Sequence, residues 1–61
     1  MKMTKLAAIR KSRGLTQTEL ATKCGWKKST ISDYERGERN PNIEKLKILA
    51  TALQCTITEL I

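Results

Sequence analysis

Five side chains in one short stretch set the chemistry open to this chain: Lys27, Lys28, Ser29, Ser32 and Asp33. Lysine donates hydrogen bonds, serine donates and accepts, and aspartate accepts. On a helix, residues 28, 29, 32 and 33 share one face with Arg36, while Ile31 and Tyr34 point the other way. A polar helix face is ordinary in itself. This one starts with two cations, and its residue types match base-pair edges: Lys to guanine, Ser to several bases, Asp to the cytosine amino group. That chemistry is recognition, not catalysis. The chain has no His, and its two cysteines, Cys24 and Cys55, form no CxxC. General acid–base and nucleophilic chemistry lack their usual groups, and a metal site lacks its ligands. No cofactor and no small-molecule ligand is implied.

The elements that must position this face belong to one small domain, residues 1–61. A domain of this size buries only about 60% of its unfolded-chain surface, which leaves no room for a catalytic cleft beside a core. The net charge is +6, and ten of the twelve basic residues lie in residues 1–39 with four of the six acidic ones. Residues 40–61 are neutral. One basic and one neutral region predict a side facing a polyanion and a side for something else. With no signal peptide and no long apolar run, the chain reads as cytoplasmic, without a membrane partner. Its cysteines then read as reduced, small core residues.

Turn chemistry marks nearly every boundary and predicts five helices. The first covers residues 4–13, with Met3, Leu6, Ile9 and Arg10 on one stripe, and Gly14 ends it. Thr16-Gln17-Thr18-Glu19 is a capping box that starts the second helix at Gln17. Leu20, Ala21 and Cys24 form its inner face, and Gly25 closes it. The third covers 28–36, with Ile31, Tyr34 and Glu35 inward and Gly37 at its end. After the loop Glu38-Arg39-Asn40-Pro41, Asn42 caps a fourth helix over 43–53, whose inner positions are Ile43, Leu46, Leu49, Ala50 and Leu53. Thr56-Ile57-Thr58-Glu59 is a second capping box opening a short fifth helix. The fold class is all-α, a compact bundle of four to five helices. Residues 16–37, two short helices joined at Gly25-Trp26-Lys27, have the build of a helix-turn-helix.

The chain resembles the phage repressor/Cro type of helix-turn-helix, also called the xenobiotic-response-element family. The residues that carry the resemblance are Gly14-Leu15-Thr16-Gln17, Glu19-Leu20-Ala21, Gly25, Ser29-Thr30-Ile31-Ser32, Tyr34-Glu35-Arg36-Gly37, Asn40-Pro41 and Ala50 through Leu53. The resemblance implies a lambda-repressor-like fold and sequence-specific binding of double-stranded operator DNA in transcription control. It places the second helix of the motif in the major groove. Lys27, Lys28, Ser29, Ser32 and Asp33 match base-facing and groove-edge positions. Gln17, Arg39, Asn40 and Asn42 match positions that meet the phosphate backbone. For Asp33, whose charge is that of phosphate, the expectation is a base contact or an ion pair around Lys28. Arg10 and Glu35 match a partly buried salt bridge, which accounts for a charged residue on the stripe of Leu6 and Ile9.

Two residues depart from the family pattern. Lys27 stands at a helix cap usually held by Ser or Thr, and it cannot accept the capping bond. Trp26 is larger than the Val or Ile usual after the turn. The resemblance also implies a homodimer, formed in solution or only on DNA, through the neutral end of the chain. Cys55, Ile57 and Ile61 are its candidate interface residues; closure of the core is the simpler account of Ile57 and Leu60, which makes Ile61 and Ile48 the better outward candidates. The absence of a second domain fits a minimal regulator or a fragment of a longer repressor. A competing reading is a protein-interaction module of the same fold, such as an antitoxin; an enzyme has no support.

Overall fold

The computed structural model describes residues 5–61, so Met3 and Thr4 of the predicted first helix lie outside the described residues. Five helices follow in order: α1 (Leu6–Ser12), α2 (Gln17–Cys24), α3 (Lys28–Arg36), α4 (Ile43–Leu53) and α5 (Ile57–Leu60). The starts of α2, α4 and α5 and the ends of α2 and α3 lie where the polar caps and glycines predict, because a helix terminus leaves backbone groups that only particular residues satisfy. α1 is shorter than predicted, begins after Lys5 without a side-chain cap and ends at Ser12. Thr16 Oγ1 accepts from the Glu19 N–H at 3.0 Å while the Thr16 N–H donates to Glu19 Oε1 at 2.9 Å. Asn42 Oδ1 accepts from the Lys45 N–H at 2.9 Å. At Thr56 only the forward bond of the box forms, from the Glu59 N–H to Thr56 Oγ1 at 3.3 Å.

The core is Leu6, Leu20, Ala21, Ile31, Tyr34, Leu46, Leu49, Ala50, Leu53 and Leu60. Each fully buried Leu or Ile contributes about 1.5–3 kcal/mol relative to exposure, so these ten residues supply most of the drive to fold. α2 lies at the centre, packed against α3 and α4; α1 packs on α3 and α5 on α4. Ile43 departs from its expected inward place and is 58% exposed. It is the first residue of α4, and the buried stripe of that helix begins one turn later at Leu46. Cys24 is only half-buried at the core edge.

Two arginines tie the bundle together over long sequence distances. Arg13 Nε donates to the Leu53 carbonyl at 2.8 Å, satisfying a backbone acceptor at the end of α4. Arg10 is 8% exposed, yet every direction of its guanidinium that matters is met. Nε reaches Glu35 Oε2 at 2.7 Å, Nη2 reaches Glu35 Oε1 at 3.2 Å, and Nη1 reaches the Leu15 carbonyl at 2.8 Å. This fork-on-fork pair holds α3 to α1 and so sets the position of the helix that carries Lys28 and Ser29.

Candidate nucleic-acid interface

The turn between α2 and α3 is made by local hydrogen bonds. Gly25 adopts φ +76°, the left-handed conformation that lets the chain reverse after a helix. The Gly25 N–H then donates to the Thr22 carbonyl at 3.1 Å and the Trp26 N–H to the Ala21 carbonyl at 2.8 Å. Trp26 is half-buried against the core, its ring edge-on to Tyr34 at 6.0 Å and 84°. Its extra bulk is thus absorbed by an aromatic partner from α3. Lys27 is extended at φ −88°, ψ 152°, and its side chain makes no capping bond. α3 therefore starts with uncapped backbone donors and two exposed lysines.

On α3, Ile31 and Tyr34 are buried, and Lys28 and Ser29 are exposed. Ser32 and Asp33 are half-buried on the flank of that face. Of the two expectations for Asp33, an ion pair forms, but with arginines in place of Lys28. Asp33 Oδ1 lies 2.6 Å from Arg36 Nη2 and Asp33 Oδ2 lies 3.9 Å from Arg39 Nη1. Arg36 is the i+3 neighbour, one turn onward on the same face, where an opposite charge is well placed. Arg36 also donates to Ser32 Oγ and, at 3.2 Å, to Glu38 Oε2. Arg39 lies with its guanidinium 6.0 Å from the Tyr34 ring centroid. Asp33 is thus hydrogen-bonded to Arg36 through Oδ1, while Oδ2 lies at the edge of ion-pair range of Arg39.

Gln17 opens α2 and is half-buried. Its Nε2 donates to Glu35 Oε1 at 2.9 Å, the same oxygen that Arg10 Nη2 reaches. One amide hydrogen is used there and the second remains, beside the backbone N–H groups of the first turn. A helix start of this kind is suited to a phosphate oxygen. Burial would raise the Glu35 carboxyl, but hydrogen bonds from Arg10 and Gln17, with the charge of Arg10, outweigh it and hold it below the usual range. Asn42 uses Oδ1 for its helix cap, which leaves its Nδ2 donors at an exposed position. Asn40 and Arg39 are exposed in the loop after α3.

Neither the Gln17–Glu35 bond nor the hub at Arg36 was read from the sequence. The spacing of Ser32, Asp33 and Arg36 was a usable signal for the second; nothing local signalled the first. At the other end of the chain, Ile61 is 48% and Ile48 41% exposed, while Cys55 and Ile57 are half-buried against the core. Burial raises both cysteine thiols above their usual range, so both are held as neutral thiols. No group of acidic, cysteine or histidine side chains among the described residues could hold a metal ion. No helix among them is long and apolar enough to cross a membrane.

A family profile described as "Helix-turn-helix" matches residues 6–60, and the chain belongs to this Cro/C1-type, lambda-repressor-like family. It is a DNA-binding transcription regulator of that type and not an enzyme. The chain is 40% identical over 55 residues to an uncharacterised HTH-type transcriptional regulator, y4dJ, of Sinorhizobium fredii, covering 90% of this chain and 71% of the relative. It is 37% identical over 57 residues to the immunity repressor of Bacillus phage phi105, covering 93% of this chain but only 40% of the repressor. The crystal structure of the P22 c2 repressor in complex with a synthetic operator superposes with a TM-score of 0.89 at 35% identity, covering all (100%) of this chain and 94% of that one.

Proposed function

We propose that the chain is a repressor that binds a palindromic operator as a homodimer, with α3 in the major groove, and that it works in the cytoplasm. The observation that carries this reading is the juxtaposition at the helix-turn-helix. The outer face of α3 begins with Lys27, Lys28 and Ser29, all exposed, and Ser32 flanks them. In this reading these four side chains meet the groove. Gln17, Arg39, Asn40 and Asn42 meet the phosphates on either side, setting register without specifying sequence. The likeness to an operator-bound phage repressor and to an immunity repressor supports both the docking and the direction of control.

Two-fold binding needs recognition helices about 34 Å apart. Ile61, with the outward faces of Cys55 and Ile57, is the surface assigned to that contact. A dimer that is weak in solution still forms on DNA, where two half-sites hold the copies together.

Selection from a random duplex pool, followed by titration across a salt series, tests the reading. The expected result is a palindromic consensus and a steep linear fall of log affinity with log salt. Lys28→Ala is expected to relax preference at one position of each half-site, at a cost of about 1–3 kcal/mol. Gln17→Ala is expected to weaken all duplexes about equally. Failure of the protein to bind any duplex at low salt would overturn the proposal. Identical behaviour of the two variants would overturn the division between reading and anchoring.

A further inference from the structure

Four charged side chains at the C-terminal end of α3 form a cluster of zero net charge on an otherwise basic face. Asp33 and Glu38 hold Arg36, and Asp33 Oδ2 lies 3.9 Å from Arg39 Nη1. Their depths differ. Asp33 is 24% exposed, the two arginines are 54% exposed, and Glu38 is 63% exposed. Asp33 is thus the more buried of the two carboxylates, and Glu38 is the one more open to an approaching duplex. Further groups fix the same arrangement: the Ser32 hydroxyl accepts from Arg36, and the Tyr34 ring lies 6.0 Å from the Arg39 guanidinium.

We propose that Asp33 is a positioning residue for specificity: it holds Arg36 by a hydrogen bond and Arg39 by charge at one place each for two phosphates of the bound site, while Glu38 occupies Arg36 until a phosphate displaces it. The proposal rests on the duplex-binding reading above. Ion pairs this exposed are weak, so phosphate exchanges readily for Glu38. In the matched site, arginines already in place lose little freedom on binding. On an unmatched duplex no base contacts seat α3, so the held guanidiniums are not brought onto their phosphates, and the two carboxylates repel the backbone without compensation. Asp33 and Glu38 therefore act on different quantities. The first sets the ratio of selected to random affinity; the second sets the common electrostatic affinity.

The test uses the whole chain, the operator selected with the wild type, and a random duplex of equal length. Asp33→Asn is expected to weaken operator binding about tenfold, the worth of roughly one charge-assisted phosphate bond, while random-duplex binding holds or rises. Asp33→Glu, which keeps the carboxylate, is expected to restore most of the ratio. Glu38→Gln is expected to strengthen both duplexes and to steepen the log–log salt slope by about 0.9, so that its gain at about 50 mM salt exceeds that at about 500 mM by about eightfold. Thermal unfolding of each variant shows whether the fold is kept. Three results would overturn the proposal: equal loss on both duplexes with Asp33→Asn, a change of preference confined to one base pair with that variant, or an unchanged salt slope with Glu38→Gln. Failure of the underlying reading is distinct, because the wild type itself would then select no operator.

Discussion

Removal of the Glu35 carboxylate isolates the Arg10 guanidinium in the interior, and the structure sets the size of the effect. The side chains of the pair are each 9% exposed, and two of the three guanidinium bonds go to Glu35. In Glu35→Ala only the Leu15 carbonyl remains as a partner. Breaking a buried pair from one side costs about 3–5 kcal/mol. A domain of this length has about 3–9 kcal/mol in total, so the loss is comparable with the whole stability. At about 4–8 °C per kcal/mol for a domain of this size, the melting temperature falls by about 12–40 °C. Arg10→Met leaves Glu35 with Gln17 alone and is expected to behave similarly. The double variant Arg10→Met/Glu35→Leu removes both charges and replaces them with apolar volume. It is expected to recover at least about 2 kcal/mol relative to either single variant. Thermal and urea unfolding followed by circular dichroism measure all four proteins. A fall below about 5 °C in the singles, or a double no more stable than they are, would refute the account of Arg10 as a charge held by Glu35.

The same pair gives a pH dependence. The Glu35 carboxyl is held below its usual range, so its contribution is complete above the unfolded value and is lost as pH falls through the folded one. Unfolding measured from about pH 6 down to about pH 2 is expected to show this loss beginning below about pH 5, and Glu35→Gln flattens that limb. Lys27→Ser supplies the missing cap of α3 and is expected to raise stability by about 1 kcal/mol while relaxing sequence preference within each half-site; a stable variant with unchanged preference would place Lys27 away from the bases. Gln54 caps α4 at φ +54°, a conformation costly for a side chain with a Cβ. Gln54→Gly is expected to raise stability by about 0.5–1 kcal/mol in urea unfolding, and a loss would mean the Gln54 side chain contributes more than its strain costs. Ile61→Glu is expected to leave the melting temperature unchanged but weaken binding to a palindrome, with little effect on a single half-site; equal effects on both would remove Ile61 from the dimer contact.

The elements and their ends were legible in the sequence because the interactions that end a helix span few residues. Thr16 with Glu19 and Asn42 with the Lys45 N–H are contacts three positions apart, and Gly25 and Gly37 end their helices by their own positive φ. Helical spacing likewise placed Leu20, Ile31, Tyr34, Leu46, Leu49 and Leu53 inward, since a buried stripe repeats with the helix. Ile43 broke that rule because periodicity fixes a direction around the helix axis, not whether another element covers that level of it. The Arg10–Glu35 pair came from family resemblance, not from spacing, for its members lie 25 positions apart. The bonds from Gln17 to Glu35 and from Arg13 to the Leu53 carbonyl, 18 and 40 positions apart, had no local sign at all. Which helices form and which of their faces turn inward can be read along the chain, because both depend on near neighbours. Which charges are paired and which stay open to a ligand emerges only in the packed fold. A side chain's partner across the bundle depends on how the helices are set against one another, and that setting is a property of the packed core as a whole.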